Sequence, residues 1–463
     1  MVGLGGRIIL KRIFSFQFKS GRRLQNGKVF GIIRHSNFMP DKKFPKGFLW
    51  GSATSAHQVE GNNHNDWTEW EKKNAERLSK EARNKFGHLP NWKDIERDAT
   101  DPNNYISGRV CDHYGRYKED FDLAKSLGHN AHRFSIEWSR IEPEEGKFDE
   151  REIEHYRDVI KSLRARGMEP FVSLWHWTNP IWVSQDGGWE NKKTIERFLK
   201  YAERVTKEYK NIVTFWMPLC EPGTYIGMGY IQGAFPPQKR LGLFSANRAF
   251  KNLMSAYRQT YNLIHNQNSE AKVGISHYAV YMFPYNNHIW NKVLVKILDY
   301  VRNWRFLDSV NATNDFIGIQ YYHTDNIAFS PMMNGKWGFV DSRNKNAWIT
   351  DIGWDIYPEG MYHLLQRAKK YKKPIYITEN GIADKKDLQR EKFIKENLKQ
   401  VSRAMADGAD VRGYFYWSLL DNFEWDKGFW PRFGLVEVDY KTLKRKVRPS
   451  ALVFRDIIKS QIV

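Results

Sequence analysis

A single TIM-type (β/α)8 barrel, an α/β fold with long loops at its C-terminal face, is predicted by three observations on this 463-residue sequence. Eight short, β-rich apolar runs recur after Phe44. Longer segments between them repeat apolar residues at three- and four-residue spacing, and no Pro/Gly/Ser-rich linker divides the chain. Alternation of this kind is what repeated β-α units around a parallel sheet produce, and eight units in about 420 residues suffice for one closed barrel.

The runs are, in order, GFLWGSATS from Gly47, AHRFSIEW from Ala131, EPFVSLWHW from Glu169, IVTFWMPL from Ile212, KVGISHYAV from Lys272, DFIGIQYY from Asp315, PIYITEN from Pro374 and VRGYFYWS from Val411. Each ends in polar or aromatic residues. Between them, Glu150 to Arg166 reads as a helix because Ile153, Tyr156, Ile160 and Leu163 share one face. Thr194–Tyr209, Ala246–His265, Pro358–Lys370 and Gln389–Met405 read the same way. The largest insertions, Asn62–Val110, Pro222–Ser245, Tyr281–Asn311 and Ala328–Asp351, are expected to be loops on the active face. Met228–Pro237 and Ala328–Trp337 within them should line the leaving-group side.

Composition removes several classes of function. With 18 Trp, 23 Tyr and 28 Phe the chain is too rich in core-forming residues to be disordered. No run approaches the roughly 18 consecutive apolar residues of a membrane span. Two cysteines, Cys111 and Cys220, allow neither a disulfide framework nor a four-cysteine zinc site. His129, His132, Cys111 and His113 show spacings worth testing for a metal, but no zinc motif accompanies them, so no metal ligand is assigned. The few cysteines and the lack of a secretory signal point to the cytoplasm.

The net charge is +20. Residues 1–38 carry Arg7, Lys11, Arg12, Lys19, Arg22, Arg23, Lys28 and Arg34 and no acidic residue. This stretch is expected to be a poorly ordered, non-catalytic extension ahead of a catalytic domain at 39–463. KKYKK from Lys369 and KTLKRKVR from Lys441 are further basic clusters, read as solvated faces because no nucleic-acid motif goes with them. No specific nucleic-acid partner is expected.

In such a barrel the chemistry belongs at the C-terminal strand ends. Those ends offer Gln58, Arg133, His176, Glu221, Tyr322, Glu379 and Trp417. Glu221 and Glu379, at strands four and seven, are far apart in sequence, and only the fold can bring them together. Two carboxyl groups about 5 to 5.5 Å apart are what glycosidic cleavage with retention requires, one as acid and one as nucleophile.

From Phe44 to about Ser450 the chain resembles the family 1 glycoside hydrolases, the β-glucosidase and β-galactosidase type. The strings that carry the resemblance are FPKGFLWGSATSAHQVEG, HRFSIEWSRIEP, CEP, DFIGIQYY, GWDIYPEG, ITENG, and YWSLLDNFEW followed by RFGL, in that order. The resemblance implies that Glu379 is the nucleophile and Glu221 the acid/base, with Arg133 and Tyr322 favouring the charged form of Glu379. It further implies that Gln58, His176, Glu424 and Trp425 bind the sugar over Trp417. A carboxylate at Glu424 would repel a 6-phosphate, so the implied substrate is a small unphosphorylated β-glycoside or oligosaccharide, and no cofactor is implied.

The chain departs from the family pattern at four positions. Cys220 stands where the family usually has the Asn that binds the sugar 2-hydroxyl, Gln320 where Asn is usual, Tyr257 where His is common, and Pro218 where Thr is common. A thiol is a weak hydrogen-bonding group. These departures predict a remodelled 2-hydroxyl region beside intact carboxylates, giving slow hydrolysis, transglycosylation or an unusual C2 preference. The competing reading is a catalytically impaired carbohydrate-binding protein on the same fold.

Overall fold

The computed structural model describes residues 43–328, 338–339 and 348–463. Eight parallel strands close into a barrel: β1 (Leu49–Ala53), β2 (Ala131–Ser135), β3 (Glu169–Ser173), β4 (Phe215–Met217), β5 (Lys272–Tyr278), β6 (Phe316–Gln320), β7 (Ile375–Asn380) and β8 (Val411–Trp417). Each pairs with its sequence neighbours and β1 closes on β8, with Leu49 opposite Gly413 and Ala53 opposite Trp417. The strands coincide with the eight apolar runs.

Alternation along the strands sends one set of side chains into the barrel and the other towards the helices. Inside, Phe171 stacks on Phe215 at 4.1 Å between ring centroids and meets Phe415 at 4.7 Å, with Phe316 and Tyr376 completing the plug. The barrel is therefore a packed core rather than a channel. Outside, helices Glu150–Ala165, Lys193–Tyr209, Leu243–Gln267, Glu359–Ala368 and Arg390–Ala406 bury their periodic apolar faces, close to the helices expected.

The insertions differ from expectation. Asn62–Val110 contains the helices Asp66–Phe86 and Trp92–Ala99, the first started by a capping box in which Asn65 and Thr68 satisfy each other's backbone N–H. Trp67, Trp70, Leu78 and Ala82 give that helix a buried face, so tertiary packing rather than loop chemistry decides its conformation. Pro222–Ser245 opens with the helical turn Pro222–Ile226, and Tyr281–Asn311 holds the strand Tyr281–Pro284 and the helix Ile289–Asp299. Most of Ala328–Asp351, including all of Ala328–Trp337 but Ala328, lies outside the described residues, as does the 1–38 extension. Among the described residues no helix is long and apolar enough to cross a membrane.

Candidate active site

The C-terminal strand ends gather the expected residues into one buried cluster. Arg133, in β2, is held between Ala53 and Phe171 by the sheet register and is fully buried. Its Nη1 donates to Glu379 Oε1, and its Nη2 donates to Cys220 Sγ at 2.7 Å. Glu379 sits near the end of β7 opposite Gln320, and Tyr322, just beyond β6, donates its hydroxyl to Glu379 Oε2. Both oxygens of Glu379 are thus engaged, each by a donor that favours the carboxylate.

Glu221 is positioned by backbone. Cys220 N bonds Trp175 O beyond β3 at 3.0 Å, and Glu221 N bonds Ser276 O of β5 at 2.8 Å, so the CEP turn is stitched to both neighbouring strands. Glu221 itself is left-handed, with φ 46°, a conformation that costs a non-glycine residue on the order of 1 kcal/mol. The sheet bonds on either side hold it there.

Burial and mutual charge separate the two carboxyls. Burial and the charge of Glu379 push Glu221 well above the usual carboxylate range, with Thr224 and Arg133 pulling the other way. Glu379 is also raised, because its burial outweighs Arg133 and Tyr322. This departs from the simple expectation that its two donors would leave it freely ionised. Glu221 carries no such ion pair or phenol bond, so it is the better proton holder of the two.

The remaining expected residues surround this pair. Gln58, in the short helix Ala56–Val59, takes a bond from Ser55 Oγ at 2.8 Å and donates to Phe423 O at 2.9 Å and Glu424 Oε2 at 3.4 Å. Burial raises Glu424 to about 7, against the opposing pull of Lys427. Trp425 stacks on His57 at 5.3 Å and packs against Trp177 at 4.6 Å. Trp417 ends β8, and its carbonyl lies so close to Gly381 of ITENG that a Cβ there would approach within 1.8 Å. Only glycine allows that contact between the β7 and β8 ends.

Cys220 Sγ is the meeting point of three side chains: it accepts from Arg133 at 2.7 Å and from Gln320 Nε2 at 3.6 Å, and lies 3.8 Å from His176 Nε2. Burial pushes the thiol up and, together with Arg133, drives His176 down, so both are neutral. His176 Nδ1 and Gln320 Oε1 are buried without a hydrogen-bond partner among the described residues. His176, Cys220 and Glu379 also bring ligand-type atoms within 4.8 Å of one another, a set the sequence reading did not foresee. Arg133 bonds two of the three, so a cation there would meet a fixed positive charge.

The four residues weighed for a metal are otherwise engaged. Ser52 Oγ lies between His129 and His132, Cys111 donates to Asp421 O, and His113 bonds Asp120. Tyr257 does not belong to the site. Its hydroxyl bonds Asn314 Oδ1, just ahead of β6, at the opposite end of the barrel. The sequence reading missed His57 as the support of Trp425, although it adjoins Gln58, and it had Gln320 only as a departure from a pattern.

A closed (β/α)8 barrel with paired strand-end glutamates, an arginine and a tyrosine on one of them, and aromatic and amide groups around both defines a glycoside hydrolase. The family model for Glycosyl hydrolase family 1 matches residues 40–310 and 305–462. The chain is 31% identical to beta-glucosidase A of Thermotoga maritima over 90% of its own length and 98% of that protein's. The structure resembles the beta-glycosidase from Pyrococcus horikoshii, with TM-score 0.80, 37% identity and coverage of 92% and 96% of the two chains. It also resembles beta-glucosidase from Thermotoga maritima in complex with glucoimidazole, with TM-score 0.78, 30% identity and coverage of 91% and 100%. The chain belongs to glycosyl hydrolase family 1, and it is a β-glucosidase-like glycoside hydrolase.

Proposed function

We propose that the protein is a retaining exo-β-glycosidase acting on small unphosphorylated β-glucosides, with β-galactosides and β-fucosides as further substrates. One observation carries this reading: Glu379 has both oxygens held by Arg133 and Tyr322, while burial and the charge of Glu379 raise Glu221 well above the usual carboxylate range. In the first step a Glu379 oxygen attacks the anomeric carbon, the bond to the leaving oxygen breaks, and Glu221 gives that oxygen its proton. In the second, Glu221 takes a proton from water, which attacks the same carbon and releases Glu379. Two inversions return the original configuration. No cofactor enters this scheme.

Gln58, His176, Glu424 and Trp425 bind hydroxyls of the sugar, with Trp417 beneath its C–H face. The unpartnered His176 Nδ1 and Gln320 Oε1 support this part, since buried polar atoms without partners cost about 1–3 kcal/mol each and a polyhydroxylated ligand can relieve them. The carboxyl of Glu424 supports an unphosphorylated sugar. Cys220 gives the 2-hydroxyl a poor partner, which supports slow hydrolysis, transglycosylation or a preference for a sugar with an unusual C2. Residues 39–463 form the catalytic domain, 1–38 take no part in catalysis, the enzyme works in the cytoplasm, and it has no specific nucleic-acid target.

Proton NMR of the first-formed sugar tests the mechanism. The β-anomer must appear first from a β-glucoside; prompt appearance of the α-anomer would replace retention by inversion. A folded protein that binds glucose analogues and cleaves no aryl β-glycoside would establish the binding-protein alternative.

A further inference from the structure

The inserted helix Asp66–Phe86 reaches the sugar site by two routes. Trp67 and Glu71 are four residues apart, so they share one face near its start, and both are buried. Trp67 packs on Trp425 at 4.5 Å between ring centroids. Glu71 is linked to the same indole through His57: its Oε2 accepts from Ser107 N at 2.8 Å and from Ser107 Oγ at 2.7 Å, and its Oε1 faces His57 Nε2 at 2.7 Å. The cap of the helix decides which way that last bond runs. Asn65 Oδ1 accepts from Thr68 N, which turns Asn65 Nδ2 towards His57 Nδ1 at 3.2 Å and Glu137 Oε1 at 3.3 Å. Nδ1 is therefore the acceptor of the ring, the ring proton sits on Nε2, and Nε2–H donates to Glu71. Tied at both nitrogens, the imidazole lies 13° from parallel to the Trp425 indole at 5.3 Å. Trp425 begins the short turn Trp425–Lys427 with a left-handed backbone, φ 49°, a conformation that persists in a bulky residue only where its surroundings impose it.

We infer that Glu71 is a positioning residue for the sugar subsite: through the Nε2–H bond it fixes the His57 ring, and that ring together with Trp67 fixes the plane of Trp425 before a sugar arrives. A side chain that must be ordered on binding takes its lost rotamer freedom out of the affinity, whereas one locked beforehand by packing and hydrogen bonds does not. Here the lock runs from the backbone N–H of Ser107 through Glu71 and His57 to the indole, with Asn65 setting the tautomer on which it depends. The inserted helix thus supplies part of the sugar site's frame, from a segment that carries none of the residues assigned to bond cleavage. The inference rests on the reading of Trp425 as a sugar contact. It adds nothing to the chemistry of Glu221 and Glu379, so loss of Glu71 weakens sugar binding rather than slowing cleavage of the bond.

Steady-state kinetics of the full chain on an aryl β-glucoside test it in two backgrounds. With Trp425 present, Glu71→Leu and His57→Phe should each raise KM about tenfold while kcat changes less than about threefold, as loss of binding common to ground and transition states requires. Because both act through one link, the double variant should match the larger single one rather than their product. His57→Phe keeps a ring of similar size without its nitrogens, so it carries the same comparison if Glu71→Leu does not fold. In the Trp425→Ala background neither substitution should raise KM further. A rise of the same size with Trp425 absent, or a fall in kcat as large as the loss in kcat/KM, would overturn the inference and leave Glu71 a general support of the fold. A Trp425→Ala enzyme with wild-type KM would remove the sugar-binding reading of Trp425, and the inference with it.

Discussion

Replacing Cys220 by Asn should accelerate the enzyme, by an amount the geometry bounds. The sulfur receives N–H groups from Arg133 at 2.7 Å and Gln320 at 3.6 Å, lies 3.8 Å from His176 Nε2, and gives a sugar nothing better than a weak S–H donor. An Asn side chain of nearly the same size would place its carbonyl oxygen where the sulfur accepts from Arg133 and turn its NH2 towards the 2-hydroxyl. Contacts to that hydroxyl strengthen in the oxocarbenium-like transition state. A hydrogen bond with charge assistance is worth about 1.5–3 kcal/mol. At 1.36 kcal/mol per tenfold, kcat/KM on an aryl β-glucoside should rise roughly 10- to 150-fold. The control is the matching 2-deoxyglucoside, on which the variant should gain nothing, since the partner atom is missing. A folded Cys220→Asn enzyme with unchanged or lower kcat/KM, or with an equal gain on the 2-deoxy substrate, would refute the assignment of this sulfur to the 2-hydroxyl region.

Other expectations follow from the same cluster. Tyr322→Phe removes a donor that favours the ionised Glu379, so the acidic limb of the kcat/KM profile should move to higher pH and the maximum fall about 10- to 100-fold. Glu221→Gln should lower kcat/KM by about 10²–10⁴ on substrates whose leaving group needs a proton, and far less on activated aryl glycosides, as steady-state rates would show. The same variant should be more stable than wild type at neutral pH. The folded-state pKa of Glu221 is raised, so the stability this carboxyl contributes is present below its unfolded value and lost as pH rises towards the folded one. The gain in Tm should therefore grow with pH and vanish in acid. Trp425→Ala removes a ring held by His57 and Trp177 and should raise KM for the sugar more than it lowers kcat, while Gly381→Ala should cost stability through its clash with the Trp417 carbonyl.

The barrel was legible because its strands are short apolar runs at regular intervals and its outer helices keep strict three- and four-residue spacing. The inserted helix Asp66–Phe86 was less so. Its sequence is mostly charged, and the signals that betray it, the Asn65–Thr68 cap and the Trp67, Trp70, Leu78 series, lie in a region where the fold class suggests loops. In the site, the residues at strand ends were legible as positions in strings. What no string contains is the convergence of Arg133, Gln320 and His176 on one sulfur, because it joins β2, β6 and the end of β3 across the barrel mouth. Tyr257 shows the converse: a departure from the pattern that reads as part of the site lies at the other end of the barrel, bonded to Asn314. The upward shift of Glu379 also required the structure, since burial is a property of the whole packed mouth.

The central claim, that Glu379 attacks the sugar and is covalently bound to it midway, is tested most directly by intact-mass analysis after incubation with 2-deoxy-2-fluoro-β-glucosyl fluoride. The account predicts a gain of one fluoroglucosyl group per chain, located by peptide mapping on the segment that bears Glu379 and absent in Glu379→Gln. A label on any other residue, or none in an enzyme that visibly turns over aryl β-glucosides, would contradict it.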